Sequence, residues 1–371
     1  MKLMIVKLHS CGVNYQNDYI SDCLEKNYEL TNNFDEADTI VMLGGCCCCD
    51  ENIYATLMQI NYILSKKREN AITYLTGCIT RGFKNVEEFK KLENNIKDNI
   101  DFVIEHYNPN ELLKLINIQS QKSENFDTTK GYGICEYNKL QANIYLQNGC
   151  THNCSFCKSN YLKCELMDMP IEKVKRFIDE MDEEKVKYVQ LRGLNLSQYG
   201  LGLYKESKLI ELCEYIEGKD NIRHVELGGL AISDAIKLNF ADRLKYLKKV
   251  DLINVSLESG SDRLLNLMNK GFTMEEFWDF YNKINSIDKK KFYLSIISGF
   301  PTETKDDILE TIKVLKQVRP KLVNINTFLD SIYTPAHELD QLSEEEINEH
   351  TKVYTRSLRR NFIRHMVNLG K

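Results

Sequence analysis

Residues 142–157 read ANIYLQNGCTHNCSFC, an alternating apolar strand, a glycine, and then Cys150, Cys154 and Cys157 in a CxxxCxxC loop. The alternation over 142–147 predicts a strand with one buried face, so the cysteines sit at that strand's carboxyl end. Three thiolates so close in sequence can hold three corners of a [4Fe–4S] cube, leaving the fourth iron without a protein ligand. A small chelating molecule can bind there and receive an electron. The competing reading is a structural zinc site, which wants four ligands and usually takes CxxC pairs. His152 is the available fourth ligand, but it lies too close to its neighbours for easy tetrahedral geometry.

Working outward towards the C-terminus, strands are predicted at 187–192, 223–228, 250–257, 292–298 and 322–328. Helical spacing separates each pair: Ile171/Val174/Ile178/Met181, Leu209/Leu212/Ile216, Ile236/Phe240/Leu244, Phe277/Phe280/Ile284 and Ile308/Ile312/Leu315. Capping boxes mark starts at Thr273 with Glu276, Ser343 with Glu346 and, in a weaker form, Thr304 with Asp307. Six β/α units make a partial (β/α)6 barrel over 140–335. A helical extension is expected at 336–371, its basic face carrying Arg356, Arg359, Arg360, Arg364 and His365.

Towards the N-terminus, apolar and partly β-branched runs at 2–8, 39–43, 72–76 and 100–104 alternate with helical stretches such as 50–67 and 109–117. That pattern predicts an α/β domain with a doubly wound parallel sheet over 1–117. The polar, aperiodic segment 118–139 reads as a linker.

The chain of 371 residues is 43% hydrophobic and 28% charged, with a net charge of −5, so no bulk basicity points to nucleic acid. No apolar run is long enough to cross a bilayer, and the N-terminus lacks a signal-peptide pattern. A cytoplasmic protein with no membrane partner is expected. In that compartment 13 cysteines are a poor disulfide framework, so spacing must sort ligands from small buried hydrophobes. Cys11, Cys46 and Cys78 each follow a predicted strand, and parallel strand ends line one edge of a sheet. Glycines at 44, 45 and 77 let the backbone turn closely there. Convergence on a second cluster and three unrelated buried cysteines both remain open on this pattern, and Cys47, Cys48 and Cys49 compete with Cys46 for the middle position. Cys23 and Cys213 sit at helical positions with apolar neighbours and read as core, Cys135 lies in the linker, and Cys164, shortly after the cysteine loop, reads as a residue without a functional role, the alternatives being an additional ligand or a substrate-facing thiol.

Over roughly residues 1–335 these stretches resemble the radical S-adenosylmethionine (SAM) methylthiotransferase family, whose members modify tRNA adenosines or a ribosomal-protein aspartate. LHSCGVN, VMLGGCCCCDEN and LTGC resemble its three N-terminal cluster-binding stretches, and NGCTHNCSFC its radical-SAM loop. LRGLNLSQYG, VSLESGSDRLLNLMNKGFTMEEF and IISGFPTET are similar to later strand-end segments. The resemblance implies two [4Fe–4S] clusters, one on Cys150, Cys154 and Cys157 and one on Cys11, Cys46 and Cys78, together with SAM. It also implies a SAM pocket at Phe156, Gly193, Asn195, Ser256, Glu258 and the Ile297–Gly299 backbone. By that likeness the first cluster cleaves SAM to a 5′-deoxyadenosyl radical, and the second supplies sulfur to the substrate carbon. A reducing partner such as flavodoxin or ferredoxin is implied as well.

The chain departs from the family in NYLKCELMDMP, where relatives have a basic, glycine-containing stretch, in HVELGGLAISD, which lacks their arginine and serine-rich pattern, and in Glu258, where glutamine is common. No segment corresponds to the C-terminal β-barrel domain of relatives. That difference and the net acidity lead us to expect a peptide or protein substrate, such as a ribosomally made precursor. The alternatives are a tRNA adenosine, or a different radical-SAM reaction in which the N-terminal cluster only transfers electrons.

Overall fold

The computed structural model describes residues 1–8, 15–45, 50–77, 79–80, 96, 99–105, 109–120, 135–137, 140–157, 166–331, 334–361 and 363–368. The chain divides into two compact units, Met1–Ile134 and Cys135–Lys371.

In the first unit, β1 (Lys2–Lys7), β2 (Glu29–Leu30), β3 (Thr39–Leu43), β4 (Ile72–Gly77) and β5 (Phe102–Glu105) form one parallel sheet in the order β2-β1-β3-β4-β5. Strand β3 is buried at every residue, as a central strand covered on both faces must be. Helices α1 (Tyr15–Asn27), α2 (Asp50–Lys66) and α3 (Pro109–Ser120) complete the described elements. Leu3, Val41, Leu43 and Tyr74 of the sheet pack with Ile20, Leu24, Leu112 and Ile116 of α1 and α3. The strand order reverses at β1, which places a crevice outside the carboxyl ends of β1 and β3. Backbones meet closely beside it: Gly44 N donates to Thr76 O at 2.9 Å, and a Cβ on Gly77 would fall 1.8 Å from Gly44 O. Both glycines have positive φ, 103° and 140°, so the glycine spacing is required by this approach.

The second unit holds β6 (Cys135–Tyr137), β7 (Gln141–Asn148), β8 (Met167–Asp168), β9 (Tyr188–Gly193), β10 (His224–Leu230), β11 (Val250–Glu258), β12 (Lys291–Ser298), β13 (Leu322–Thr327) and β14 (His365–Asn368). The strands β7, β9, β10, β11, β12 and β13 pair in parallel in that order, which is the predicted six-unit partial barrel. Its helices are α4 (Ile171–Glu183), α5 (Leu201–Tyr204), α6 (Leu209–Glu217), α7 (Ile232–Lys237), α8 (Ala241–Leu244), α9 (Asp262–Leu267), α10 (Met274–Ile284), α11 (Lys305–Val318) and α12 (Glu344–Arg360). The α4 stripe Ile171, Val174, Ile178 and Met181 is buried, each side chain contributing about 1.5–3 kcal/mol by leaving water. All three capping boxes form.

Three expectations are corrected. The linker 118–139 is partly regular: α3 runs on to Ser120, and β6 pairs antiparallel with β7, finding its hydrogen bonds on that edge. The helix expected through Ile236, Phe240 and Leu244 is two short helices, because Asn239 turns left-handed at φ 53°. The C-terminal extension is not all helix. Helix α12 ends at Arg360, Arg364 lies beyond it, and His365 opens β14, which pairs in parallel with the β13 edge. The expected five-residue basic helix face is therefore divided between elements.

Along the barrel strands one set of side chains is fully buried, including Ile144, Val189, Leu191, Val225, Leu227, Val255, Leu294 and Ile325. The alternate positions are polar: Asn143, Gln190, Arg192, Glu226, Asn254, Ser256, Ser295 and Asn324. Since side chains alternate across a strand and the helices cover the convex face, the polar set lines the concave face.

Candidate active site

The cysteine loop leaves β7 at Asn148 and is fastened from several sides. Ser155 N donates to Met268 O at 3.0 Å and Ser155 Oγ to Leu267 O at 2.7 Å, while Ala336 N donates to Ser155 O at 3.0 Å. Asn269 Nδ2 donates to Asn153 O at 2.8 Å, and Cys157 N donates back to Cys154 O at 3.0 Å. The loop is thus seated on the α9 C-terminus and on the Pro335–Glu338 turn.

Cys150, Cys154 and Cys157 are partly buried, and none is in a disulfide. Burial pushes the Cys154 thiol up to about 11, opposed by the charge of Lys270 and reinforced by the two other cysteines. Burial also raises Cys150, opposed by hydrogen bonds from the backbone at His152 and from Asn195. A thiol binds a metal as the thiolate, so metal binding at these positions would be coupled to loss of the thiol protons. Among the described residues no three Cys, His, Asp or Glu side chains are grouped to hold a metal ion. His152 is turned away: its Nε2 lies 2.8 Å from Asp234 Oδ2.

Asn195 links the loop to the barrel. Its Nδ2 lies 3.6 Å from Cys150 Sγ and 2.8 Å from Asp234 Oδ2, and its backbone N donates to Gln147 Oε1 at 3.1 Å. Gln198 Nε2 donates to the same Asp234 oxygen at 2.9 Å and to Thr151 Oγ1 at 2.7 Å. Asp234 therefore gathers His152, Asn195 and Gln198; although its burial would raise its pKa, these partners hold the carboxyl below the usual range. Asn195 Oδ1 remains a buried acceptor with no partner among the described residues, at the place where a bound molecule can supply a donor.

The other expected SAM-pocket residues lie at the same carboxyl edge. Gly193 ends β9, where a Cβ would fall 3.2 Å from Gln147 Oε1. Phe156 packs against the buried cluster that contains Ile297, Phe300 and Phe328, edge-on to Phe300 at 6.5 Å. Ser256 and Glu258 end β11, where the register with β12 shifts and Glu258 adopts φ 69°. Such a backbone is costly for a residue with a Cβ and clusters at functional sites. Glu258 is 7% exposed. Its burial raises the carboxyl pKa, opposed by Lys270, whose Nζ lies 3.8 Å from it and 6.0 Å from the Phe156 ring centroid. Gly299, at φ 78°, donates its N–H to Glu303 Oε2 at 2.7 Å, and a Cβ there would meet Ile347 of α12 at 2.7 Å. Glu303 also faces His350 Nδ1 at 2.9 Å and accepts from Tyr354 OH at 3.0 Å.

Gln147, Gln198, Asp234, Lys270 and Glu303 were not singled out from the sequence. All five fall within quoted stretches, Gln147 in ANIYLQNGCTHNCSFC, Gln198 in LRGLNLSQYG, Asp234 in HVELGGLAISD, Lys270 in VSLESGSDRLLNLMNKGFTMEEF and Glu303 in IISGFPTET, but their partners are defined only by the fold. Cys11, Cys46 and Cys78 lie outside the described residues, as do Cys47, Cys48, Cys49 and Cys164. The strands they follow end at Lys7, Leu43 and Gly77. Cys23 and Cys213 lie on helices, Cys213 fully in the core, and Cys135 is in β6.

The profile of the Radical SAM superfamily matches residues 144–315, from β7 into α11. The chain is 28% identical over 354 residues to the threonylcarbamoyladenosine tRNA methylthiotransferase MtaB of Aquifex aeolicus, covering 88% of this chain and 80% of that protein. It is 26% identical over 360 residues to the tRNA-2-methylthio-N(6)-dimethylallyladenosine synthase of Sulfurovum sp., covering 94% and 81%. Among solved structures, the fold is similar to the radical SAM methyltransferase TsrM of Kitasatospora setae, with a TM-score of 0.61, 13% identity and coverage of 91% and 77%. No helix among the described residues is long and apolar enough to cross a membrane. With the three-cysteine loop at the end of the first barrel strand, the match over residues 144–315 identifies a radical SAM domain in this chain, and the relatives it resembles along most of its length are tRNA methylthiotransferases.

Proposed function

We propose that this protein is a tRNA methylthiotransferase that replaces a C–H hydrogen of an N6-substituted adenosine with a methylthio group. The observation that carries this reading is a likeness to tRNA methylthiotransferases that spans both units, joined to a cysteine loop braced by Asn195 and Asp234. The relatives weigh against the peptide substrate expected from the sequence and favour its alternative. Net charge is a sum over the surface, whereas phosphate contacts need only a local basic patch.

Cys150, Cys154 and Cys157 would hold a [4Fe–4S] cluster which, with SAM bound, supplies the radical that removes the hydrogen. Asn195 orients the loop through Cys150 and offers its unpaired Oδ1 as an acceptor. Phe156 and Ile297 provide an apolar wall for an adenine, and the glycine backbones at 193 and 299 allow a ligand to approach closely. Glu258, held near Lys270, offers a carboxylate for a hydroxyl or an amine. For Cys11, Cys46 and Cys78 we propose ligation of a second cluster. The close approach of Gly44 and Gly77 supports it, because these two residues precede Cys46 and Cys78 in the chain by two and one positions.

The test is anaerobic incubation of the reconstituted enzyme with SAM, a reductant and tRNA whose adenosines lack the methylthio group. Nucleoside mass spectrometry should show one adenosine gaining a single methylthio group. SAM cleavage with no sulfur reaching any nucleoside would overturn the reading.

A further inference from the structure

The concave face carries an ion pair that the site described so far does not use. Arg192 Nη1 lies 3.0 Å from Glu226 Oε1, and Arg192 Nη2 donates to Gln190 Oε1 at 2.7 Å. Glu226 also accepts from Tyr188 OH at 2.6 Å and from Gln190 Nε2 at 2.8 Å. The two ends of this network differ in access: the Glu226 side chain is 2% exposed and that of Arg192 30%. Glu226 therefore acts as the buried anchor and Arg192 as the presented group. A guanidinium has five N–H donors in a planar fork, and the contacts above take one from each terminal nitrogen.

The neighbouring strands leave room for this side chain. Gly228 stands opposite Arg192 in the β9–β10 register, and a Cβ there would fall 2.6 Å from Nη1 and 2.8 Å from Cδ. On the other flank Asn143 pairs with Gln190, and its Oδ1 is a buried acceptor with no partner among the described residues. The strand that carries Arg192 continues three residues later into Asn195, which touches Cys150 Sγ. The concave face beside the cysteine loop thus offers a braced guanidinium with N–H groups to spare and an unpartnered amide acceptor, and hydrocarbon placed there would leave those remaining polar groups without partners.

We propose that Arg192 is a specificity-determining residue that receives a carboxylate of the substrate, so that the adenosine modified carries a threonylcarbamoyl group and not a dimethylallyl group. The inference rests on the tRNA reading above and selects between the two substituents named for its relatives. Threonine joined through its amine keeps a carboxylate and a hydroxyl, one for the Arg192 fork and the other for an acceptor such as Asn143 Oδ1. A dimethylallyl group has neither. Sites built to hydrogen-bond a substrate reject analogues that leave their polar groups unpaired.

The experiment uses the holoenzyme and two anticodon stem-loop RNAs that differ only in the N6 substituent. The threonylcarbamoyl RNA should be preferred by about 100-fold or more in kcat/KM. Arg192→Gln should lower kcat/KM on that RNA by about 10- to 100-fold, chiefly through the KM for RNA, with Arg192→Lys recovering part of the loss. Gly228→Ala, whose Cβ displaces the guanidinium while keeping its charge, should move KM the same way. Preference for the dimethylallyl RNA, equal loss on both RNAs, or a loss carried by the KM for SAM would overturn the proposal and leave the tRNA reading standing. If neither RNA gains a methylthio group while SAM is cleaved, the tRNA reading falls and the proposal falls with it.

Discussion

Asp307 joins the turn after β11 to the helix after β12, and so ties together the strand ends that carry Glu258 and Gly299. Its Oδ1 accepts from Ser261 Oγ at 2.5 Å and from Arg263 Nε at 3.2 Å, while its Oδ2 accepts from Thr304 N at 2.8 Å, Thr304 Oγ1 at 2.6 Å and Arg263 Nη2. Burial alone would raise its pKa, but Arg263, Ser261 and Thr304 outweigh it and lower the carboxyl from 3.8 to about 2. The side chain is 5% exposed, so solvent screens these contacts little. A carboxylate whose folded pKa is depressed adds stability above its unfolded pKa and loses it as pH falls through the folded one. At neutral pH the shift corresponds to about 2 kcal/mol. Asp307→Asn keeps the volume and one acceptor but removes the charge facing Arg263. The assay is an anaerobic urea titration followed by the fluorescence of Trp278, the sole tryptophan, which lines the same groove as Asp307. The variant should be about 2 kcal/mol less stable at pH 7, and its difference from the native protein should shrink as pH falls from about 4 towards about 2. A difference under about 0.5 kcal/mol at pH 7, within the range of ordinary surface substitutions, would refute the reasoning.

Other substitutions separate the parts of the site. Cys154→Ala should remove one cluster's iron and abolish SAM cleavage, measured as 5′-deoxyadenosine release; retained cleavage would mean that the loop is not the radical centre. Cys78→Ala should preserve 5′-deoxyadenosine formation and eliminate methylthio transfer, and persistent transfer would sink the second cluster. Gly299→Ala places a Cβ 2.7 Å from Ile347 at a backbone φ of 78°. It should cost about 1–3 kcal/mol of stability and raise the KM for SAM, as read by urea titration and saturation kinetics.

Much of the second unit is legible because its signals are local. Strand alternation and helical spacing repeat within a few residues, and the capping boxes at Thr273, Thr304 and Ser343 form from side chains three residues apart. Cys150, Cys154 and Cys157 are readable for the same reason, since one loop contains them all. Strand β14 was not legible: four residues carry little periodicity, and they become a strand only on the exposed edge of β13. The break at Asn239 escaped because the apolar spacing continues across it, although the backbone does not.

What the sequence by itself determined is the fold class and the cysteine loop that opens the barrel, because both are encoded at short range. Only the tertiary structure decided what surrounds that loop. Asp234 reaches Asn195 and Gln198 across 39 and 36 residues, Glu303 reaches Tyr354 across 51, and Arg192 meets Glu226 from the next barrel strand in the sheet. These pairings depend on the register of parallel strands, in which a shift of one residue would send every polar side chain to the opposite face.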